Sequence, residues 1–247
     1  MYLPILHFIN FLIILVVMIF LIKYLWDIFF GENYEPPAWE LARKQGTLGH
    51  ELLKVSKNYP DKIRLYNLWL QIQRIKEDNV PGAFAELGVY KGESARLIHL
   101  MSPDHDLHLF DTFQGFTGTD LESETGEAAT YSIKNFADTS VDKVLKYIGG
   151  DPDKLKVHPG YFPQSTDGIN VKSFSLVNID ADLHNPVKAG LEYFYPLLAP
   201  GGVILVHDYN HKWAGLAKAV DEFATTIPEA LVLVPDVDST VMIIKNK

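Results

Sequence analysis

Hydrophobic positions follow different rhythms in different parts of the chain. From Leu3 to Ile22 they are nearly unbroken: LPILHFINFLIILVVMIFLI contains no Asp, Glu, Lys or Arg. That is the length an α-helix needs to cross a bilayer core of about 30 Å, so the run predicts a transmembrane helix. Residues 31–60 mix charges with turn formers, among them Gly31, Pro36-Pro37 and Tyr59-Pro60, and predict a linker with one short helix. From Asp61 to Asp78, Ile63, Tyr66, Leu70 and Ile75 recur near a helical period, with Asp61 suited to the N-terminal end.

After that helix, short apolar runs at 83–89, 107–111, 156–162, 174–180, 202–208, 231–235 and 240–245 alternate with helical stretches such as 93–101 and 187–198. Several of the runs are continuously apolar, as strands covered on both faces must be, which predicts an α/β domain with a mostly parallel sheet. Only Asp236, Val237, Asp238 and Ser239 join the last two runs, a hairpin length, so the final strand is expected to be antiparallel. The resulting division is a membrane anchor over 1–30, a linker over 31–60 and a Rossmann-like α/β domain over 61–247.

Composition narrows this picture. With 247 residues, 47% of them hydrophobic, the chain suits one well-cored domain and an appendage. A formal charge of −9 without clustered Lys or Arg argues against a nucleic-acid partner. The absence of cysteine excludes disulfides and thiolate metal sites, leaving oxygen or imidazole ligands and a hard ion such as Mg²⁺. The apolar N-terminal run has no basic segment before it and no small-residue cleavage site after it, so it reads as an anchor and not a signal peptide. Tyr24 and Trp26 are placed for the membrane surface, and Lys23, Arg43 and Lys44 follow the span, which predicts a single-pass protein with its α/β domain in the cytoplasm. His7 and Asn10 inside the span read as helix-contact residues. Homo-oligomerisation stays open.

Open α/β sheets bind ligands at the carboxyl ends of their strands. The first run ends in Glu86-Leu87-Gly88-Val89-Tyr90-Lys91-Gly92, followed by Glu93-Ser94 and a helix. Gly88 and Gly92 allow a tight turn and close approach to a ligand, and the helix start around Ser94 offers free N–H groups to an anionic group. The pattern is E-x-G-x-x-x-G and not G-x-G-x-x-G, which shifts weight from a nicotinamide cofactor to S-adenosylmethionine. Asp111 closes the second run, where a carboxylate can accept hydrogen bonds from ribose hydroxyls or cap a following helix. Phe113 and Phe116 either wall a cofactor or pack beneath the polar loop 117–131, which has the length of a lid or a disordered segment.

The fourth run ends in Asp180 and Asp182, the fifth in His207 and Asp208. Adjacent parallel strands would bring Asp180 and Asp208 to one cleft, where like charges repel unless a cation or a shared proton compensates. A metal site with Asp180 and Asp208 as first-choice ligands, and Asp182 and His207 as second choices, resolves this most simply. Helix capping by the same aspartates is the alternative.

Together AELGVYKG, LFDTFQGF, HPGYF, NIDADL, LAPGGVILVHDYN and WAGLAKAVDEF, in that order, resemble the macrocin O-methyltransferase family, sugar-hydroxyl methyltransferases of antibiotic and surface-glycan pathways. The resemblance covers residues 60–247 and implies S-adenosylmethionine-dependent, Mg²⁺-dependent O-methyl transfer. It implies that Glu86, Gly88 and Tyr90 line the methionine side of the cofactor, that Asp111 holds the ribose and that Phe162 lies near the adenine. It further implies that Asp180 binds metal and acts as base, with an acidic pair at the end of the fifth strand completing the metal site. Here that pair reads His207-Asp208, which leaves the third ligand to His207 or water.

The expected activity is therefore methylation of a sugar hydroxyl, with Asp180 or a nearby His such as His207 taking its proton. The anchor directs attention to lipid-linked sugar acceptors, with soluble small molecules as the alternative. A membrane-tethered binding module without turnover is the other class of reading, and cofactor conversion separates the two.

Overall fold

The computed structural model describes residues 3–30, 35–122 and 124–247, and the chain divides into two compact units, Met1–Leu41 and Ala42–Lys247. In the first unit, α1 (Leu3–Phe30) contains a stretch, Ile5–Trp26, with a mean hydropathy of 3.0, long and apolar enough to cross a membrane. Its described side chains are exposed, His7 and Asn10 included.

Residues 31–34 of the expected linker lie outside the described residues. The rest of that segment differs from the expectation, because it forms two helices, α2 (Pro37–Gln45) and α3 (His50–Asn58). Pro37 occupies the first helical position, where its missing N–H has no helical partner to lose. Leu52 and Ser56, one turn apart, bury the face of α3 that packs, within the second unit, on α5 (Glu93–Met101).

The second unit is built on one seven-stranded sheet: β1 (Ala83–Leu87), β2 (Leu107–Asp111), β3 (Leu155–Pro159), β4 (Phe174–Ile179), β5 (Leu198–Val206), β6 (Val232–Val234) and β7 (Thr240–Ile244). Their order is β3-β2-β1-β4-β5-β7-β6. The first five strands are parallel, and β7 pairs antiparallel with both β5 and β6, as the short final connection predicts. Every residue of β4 is buried, so both faces of the sheet are covered. The remaining helices are α4 (Lys62–Glu77), α6 (Gly118–Leu121), α7 (Val141–Ile148), α8 (His184–Leu197) and α9 (Ala214–Ala224).

The chain runs from β1 outward through β2 to β3, then returns to β4, so the crevice between the ends of β1 and β4 is the topological switch point. Gly88 closes β1 there with φ +86, and a Cβ on it would stand 1.9 Å from the carbonyl oxygen of Asp180. No side chain fits between these two strand ends. The loop 117–131 is more ordered than its polarity predicts: it holds α6 and a single 3₁₀ turn, and buries Asp120 and Ala128.

Candidate active site

A cavity of about 580 Å³ opens at this switch point, within the range of small-molecule sites. Gly88, Tyr90, Ser94, Asp111, Phe162, Asp180 and Asp208, seven of the residues singled out from the sequence, line it. Tyr90, Phe136, Asp182 and Asp208 line it with positive φ. Such left-handed backbone costs about 1–3 kcal/mol per residue and tends to gather at binding sites.

At one end stands the glycine-rich turn. Asp111 anchors it: Oδ2 accepts the N–H groups of Val89 (2.7 Å) and Tyr90 (2.8 Å), and Oδ1 accepts that of Phe113 (2.7 Å). Phe113 contributes this N–H while its ring is buried away from the cavity lining. Gly92, φ +84, begins α5 behind the lining. Phe162 packs edge-on to Phe110 and stacks on Phe194, so its position is fixed from behind.

Glu86, on the central strand, has no exposed surface. Its Oε1 accepts from Asn178 Nδ2 (2.7 Å), Ser94 also hydrogen-bonds its carboxyl group, and Oε2 has no partner. Burial pushes its pKa up to about 8, with the hydrogen bonds from Ser94 and Asn178 opposing the rise. Glu86 lies behind the cavity lining, so an ammonium group in the cavity reaches its orphaned oxygen only if the lining between them shifts.

At the other end the carboxylates gather, and the cation among them is a residue the sequence reading did not single out. Arg64, near the start of α4, lies 3.6 Å (Nη1) from Asp180 Oδ2, 3.6 Å (Nη2) from Asp208 Oδ1 and 3.3 Å (Nε) from Asp236 Oδ2. Burial opposes its charge, but Asp180, Tyr59, Asp208 and Asp236 outweigh that and hold it protonated. Burial raises Asp180, with Arg64 opposing; Asp180 in turn adds to the burial that lifts Asp208 to about 8, and Asp182 is raised well above the usual range. Asp180 nevertheless keeps 28% of its side chain exposed, enough to meet a bound ligand.

His207 stands apart from this cluster. It is buried, Nδ1 is hydrogen-bonded to Thr240 Oγ1 (2.7 Å), and Nε2 donates to Asn178 Oδ1 (2.6 Å). Both nitrogens are thus committed within the sheet, and burial, aided by Arg64, pushes its pKa well below the usual imidazole range. The expectation that it joins Asp208 in a metal site therefore has no free nitrogen behind it. Asp208 follows with a left-handed backbone, φ 62, and lines the cavity beside Arg64, whereas His207 is not among the lining residues. Thr240 hydrogen-bonds the Asp236 carboxylate through both its N–H (2.5 Å) and its hydroxyl. One buried chain of contacts thus runs Glu86–Asn178–His207–Thr240–Asp236–Arg64.

Magnesium needs oxygen ligands at about 2.0–2.1 Å in near-octahedral array. Arg64 occupies the ground between Asp180 and Asp208, and among the described residues no group of three His, Asp or Glu is arranged to hold an ion. As folded, the residues do not fit a magnesium site.

Phe116, one of the two rings expected from the sequence, completes the cavity together with Asp120, Tyr131, Tyr161 and Trp213, which the sequence reading did not single out. Asp120 accepts from Tyr161 (2.8 Å), Thr117 (2.7 Å) and Asn185 (3.1 Å), and so ties the 117–131 loop to α8. Phe116 stacks on Tyr131, whose hydroxyl accepts from Trp213 Nε1 (3.2 Å), and all three rings line the cavity.

The family model for macrocin-O-methyltransferase matches residues 39–241, beginning some twenty residues earlier than the motifs alone suggest. Among individual proteins, the chain is 24% identical to 8-demethyl-8-(2,3-dimethoxy-alpha-L-rhamnosyl)-tetracenomycin-C 4'-O-methyltransferase of Streptomyces olivaceus, over 66% of this chain and 66% of that protein. It is 22% identical to demethyldecarbamoylnovobiocin O-methyltransferase of Streptomyces niveus, over 72% and 76% of the two. In structure it resembles the O-methyltransferase NovP, with a TM-score of 0.65 at 23% identity over 75% of this chain and 80% of that one. It also resembles the calicheamicin methyltransferase CalS11, with a TM-score of 0.59 at 19% identity over 85% and 94%. At such identities the structural likeness is one of fold.

Proposed function

The chain belongs to the macrocin-O-methyltransferase family and is thus an S-adenosylmethionine-dependent O-methyltransferase; we propose that its acceptor is a sugar hydroxyl, lipid-linked or soluble, and that Asp180 takes the hydroxyl's proton. The observation that carries this reading is that one cavity has the Asp111-anchored glycine turn at one end and Asp180 at the other. Bound S-adenosylmethionine would supply a methyl group on a sulfonium, a good leaving group, so the protein's task is to place and deprotonate the acceptor. Glu86 would pair with the cofactor's ammonium, Gly88 and Tyr90 would border its methionine end, and Asp111 would use its remaining acceptor capacity on the ribose. The rings of Phe116, Tyr131 and Trp213 suit the apolar face of a pyranose, and one relative named above is named for a rhamnosyl compound.

Asp180 then accepts the hydroxyl proton as the oxygen–methyl bond forms and the carbon–sulfur bond breaks. Its raised pKa helps, because a carboxylate nearer neutrality is a stronger base at physiological pH. We leave His207 out of this step and assign it to the buried chain behind the site. Magnesium held by Asp180 and Asp208 is the second reading: two hard carboxylates at neighbouring strand ends favour it, and it requires Arg64 to move.

Titration of the chain with S-adenosylmethionine tests the cofactor assignment, and its pH dependence tests Glu86. A carboxyl near pKa 8 that meets an ammonium must ionise, so binding should release close to one proton at pH 7, and affinity should rise by up to about tenfold per pH unit before levelling above 8. Calorimetry in buffers of different ionisation heat counts that proton; a flat profile would remove Glu86 from the site. The sign for the free protein is opposite: between about 4.5 and 8 the folded chain holds a proton the unfolded chain has lost. Stability from this group is therefore full below 4.5 and is lost as pH rises through about 8.

We also propose that α1 is a single-pass anchor for an enzyme facing the cytoplasm. The full chain should then sediment with vesicles and resist extraction by alkaline carbonate, while a fragment beginning at Ala42 stays in the supernatant. Release of the full chain by carbonate would show that the helix lies outside the bilayer.

A further inference from the structure

Arg64 holds the place that the sequence reading assigned to a metal ion, and its surroundings fix it there. Its backbone N–H donates to Asp61 Oδ1 (2.9 Å), the N-cap of α4, and Asp61 Oδ2 accepts the N–H of Val237 (2.8 Å). This carboxylate thus ties the helix carrying Arg64 to the β6–β7 turn carrying Asp236. The guanidinium is held as well, through Nε to Asp236, whose side chain has no exposed surface. Asp236 is held by Thr240, and Thr240 by His207. The residue standing where the family pattern implies an acidic ligand is therefore turned inward, and supports the carboxylate that orients Arg64.

We propose that Arg64 is the resident cation of the acceptor end: its guanidinium takes the place of a divalent ion in balancing Asp180, Asp208 and Asp236. The inference rests on the methyltransferase reading for its meaning but not for its test. An arginine stays charged at any working pH and presents a planar fork of donors, so it can hold two carboxylates apart and stabilise an oxyanion forming between them. Its Nη1 and Nη2 stand 3.6 Å from Asp180 and Asp208, just beyond hydrogen-bonding distance, and Arg64 lines the cavity. An acceptor oxygen approaching Asp180 meets this fixed charge beside it. A divalent ion approaching the same carboxylates meets repulsion from it and finds His207 unable to coordinate.

The test uses Mn²⁺ alone as probe, with its binding to the full chain in detergent micelles followed by electron paramagnetic resonance. The unaltered protein should bind Mn²⁺ only in the millimolar range, and its melting temperature should be the same in EDTA and in Mg²⁺. Arg64→Gln, which removes the charge and leaves the carboxylates, should bind Mn²⁺ at least about tenfold more tightly and should melt higher in Mg²⁺ than in EDTA. Arg64→Lys keeps a positive charge and should exclude Mn²⁺ much as the parent does. Micromolar Mn²⁺ binding by the unaltered protein would overturn the proposal, as would a folded Arg64→Gln variant with unchanged affinity. Should Arg64→Gln fail to fold, the parent and Arg64→Lys titrations still decide. S-adenosylmethionine affinity, measured on the same samples, reports on the methyltransferase reading separately.

Discussion

Replacing Asp180 with Asn should lower turnover by about 10³-fold while leaving S-adenosylmethionine affinity within roughly threefold. Asn keeps the shape and the hydrogen-bonding oxygen but cannot take a proton, so a loss confined to turnover isolates the base function. Geometry supports the confinement. Asp180 closes β4, its backbone N–H is held by the carbonyl of Leu87 (2.8 Å), and Arg64 keeps Asp208 and Asp236 as partners when Asp180 loses its charge. The fold at this point depends on the backbone pairing, so the variant should remain folded. Asp208→Asn is the matched control: Asp208 shares Arg64 but is the less exposed of the two, 11% against 28%, and its loss should cost less than that of Asp180. Release of S-adenosylhomocysteine with a panel of sugar acceptors is the measurement. Undiminished turnover in Asp180→Asn would move the base elsewhere, and loss of cofactor affinity in step with turnover would make the residue structural.

Why the sheet was legible in the sequence, and part of the site was not, follows from how each is specified. Strands covered on both faces need mostly apolar residues, and β4 and β5 therefore stand out as apolar runs, broken in β4 only by buried Ser175 and Asn178. Strand ends are equally plain, since Glu86, Asp111, Asp180 and Asp208 are where those runs stop. What a helix delivers to a distant strand end carries no comparable mark. Periodicity places Arg64 on α4, but only the docking of α4 across the sheet brings it to Asp180. His207 is hard to read for a related reason: adjacency in sequence to Asp208 suggests a pair, whereas Asp208, with φ 62, lines the cavity and His207 is hydrogen-bonded to Thr240 and Asn178. The segment 37–58 reads as a linker because its prolines and glycines look like breaks, although Pro37 and Gly49 stand where helices begin. The sequence also carries a signal for α7: Ser140 caps it, and Val141, Val144, Leu145 and Ile148 follow a helical spacing.

Asp111→Asn should weaken S-adenosylmethionine binding by about 100-fold and also lower the melting temperature of the cofactor-free chain, by roughly 6–12 °C for a loss of about 3 kcal/mol. A ribose ligand alone would give the first effect without the second. The second is expected because the Asp111 carboxylate already accepts three backbone N–H groups, from Val89, Tyr90 and Phe113. An amide in its place has a single acceptor oxygen, so at least one N–H would face an NH₂ group, and hydrogen bonds to a charged acceptor are among the stronger ones. Tyr90 and Phe113 both hold positive φ, at 48° and 53°. These strained conformations persist because the carboxylate pins the N–H groups on either side of the turn, and relaxing them would open the loop that meets the cofactor. Affinity and stability are thus tied through one side chain, and the free protein's melting curve is the discriminating measurement. An unchanged curve with weakened binding would assign Asp111 to the ribose alone; a lowered curve would mean that the sheet keeps the glycine turn shaped for its ligand before that ligand arrives.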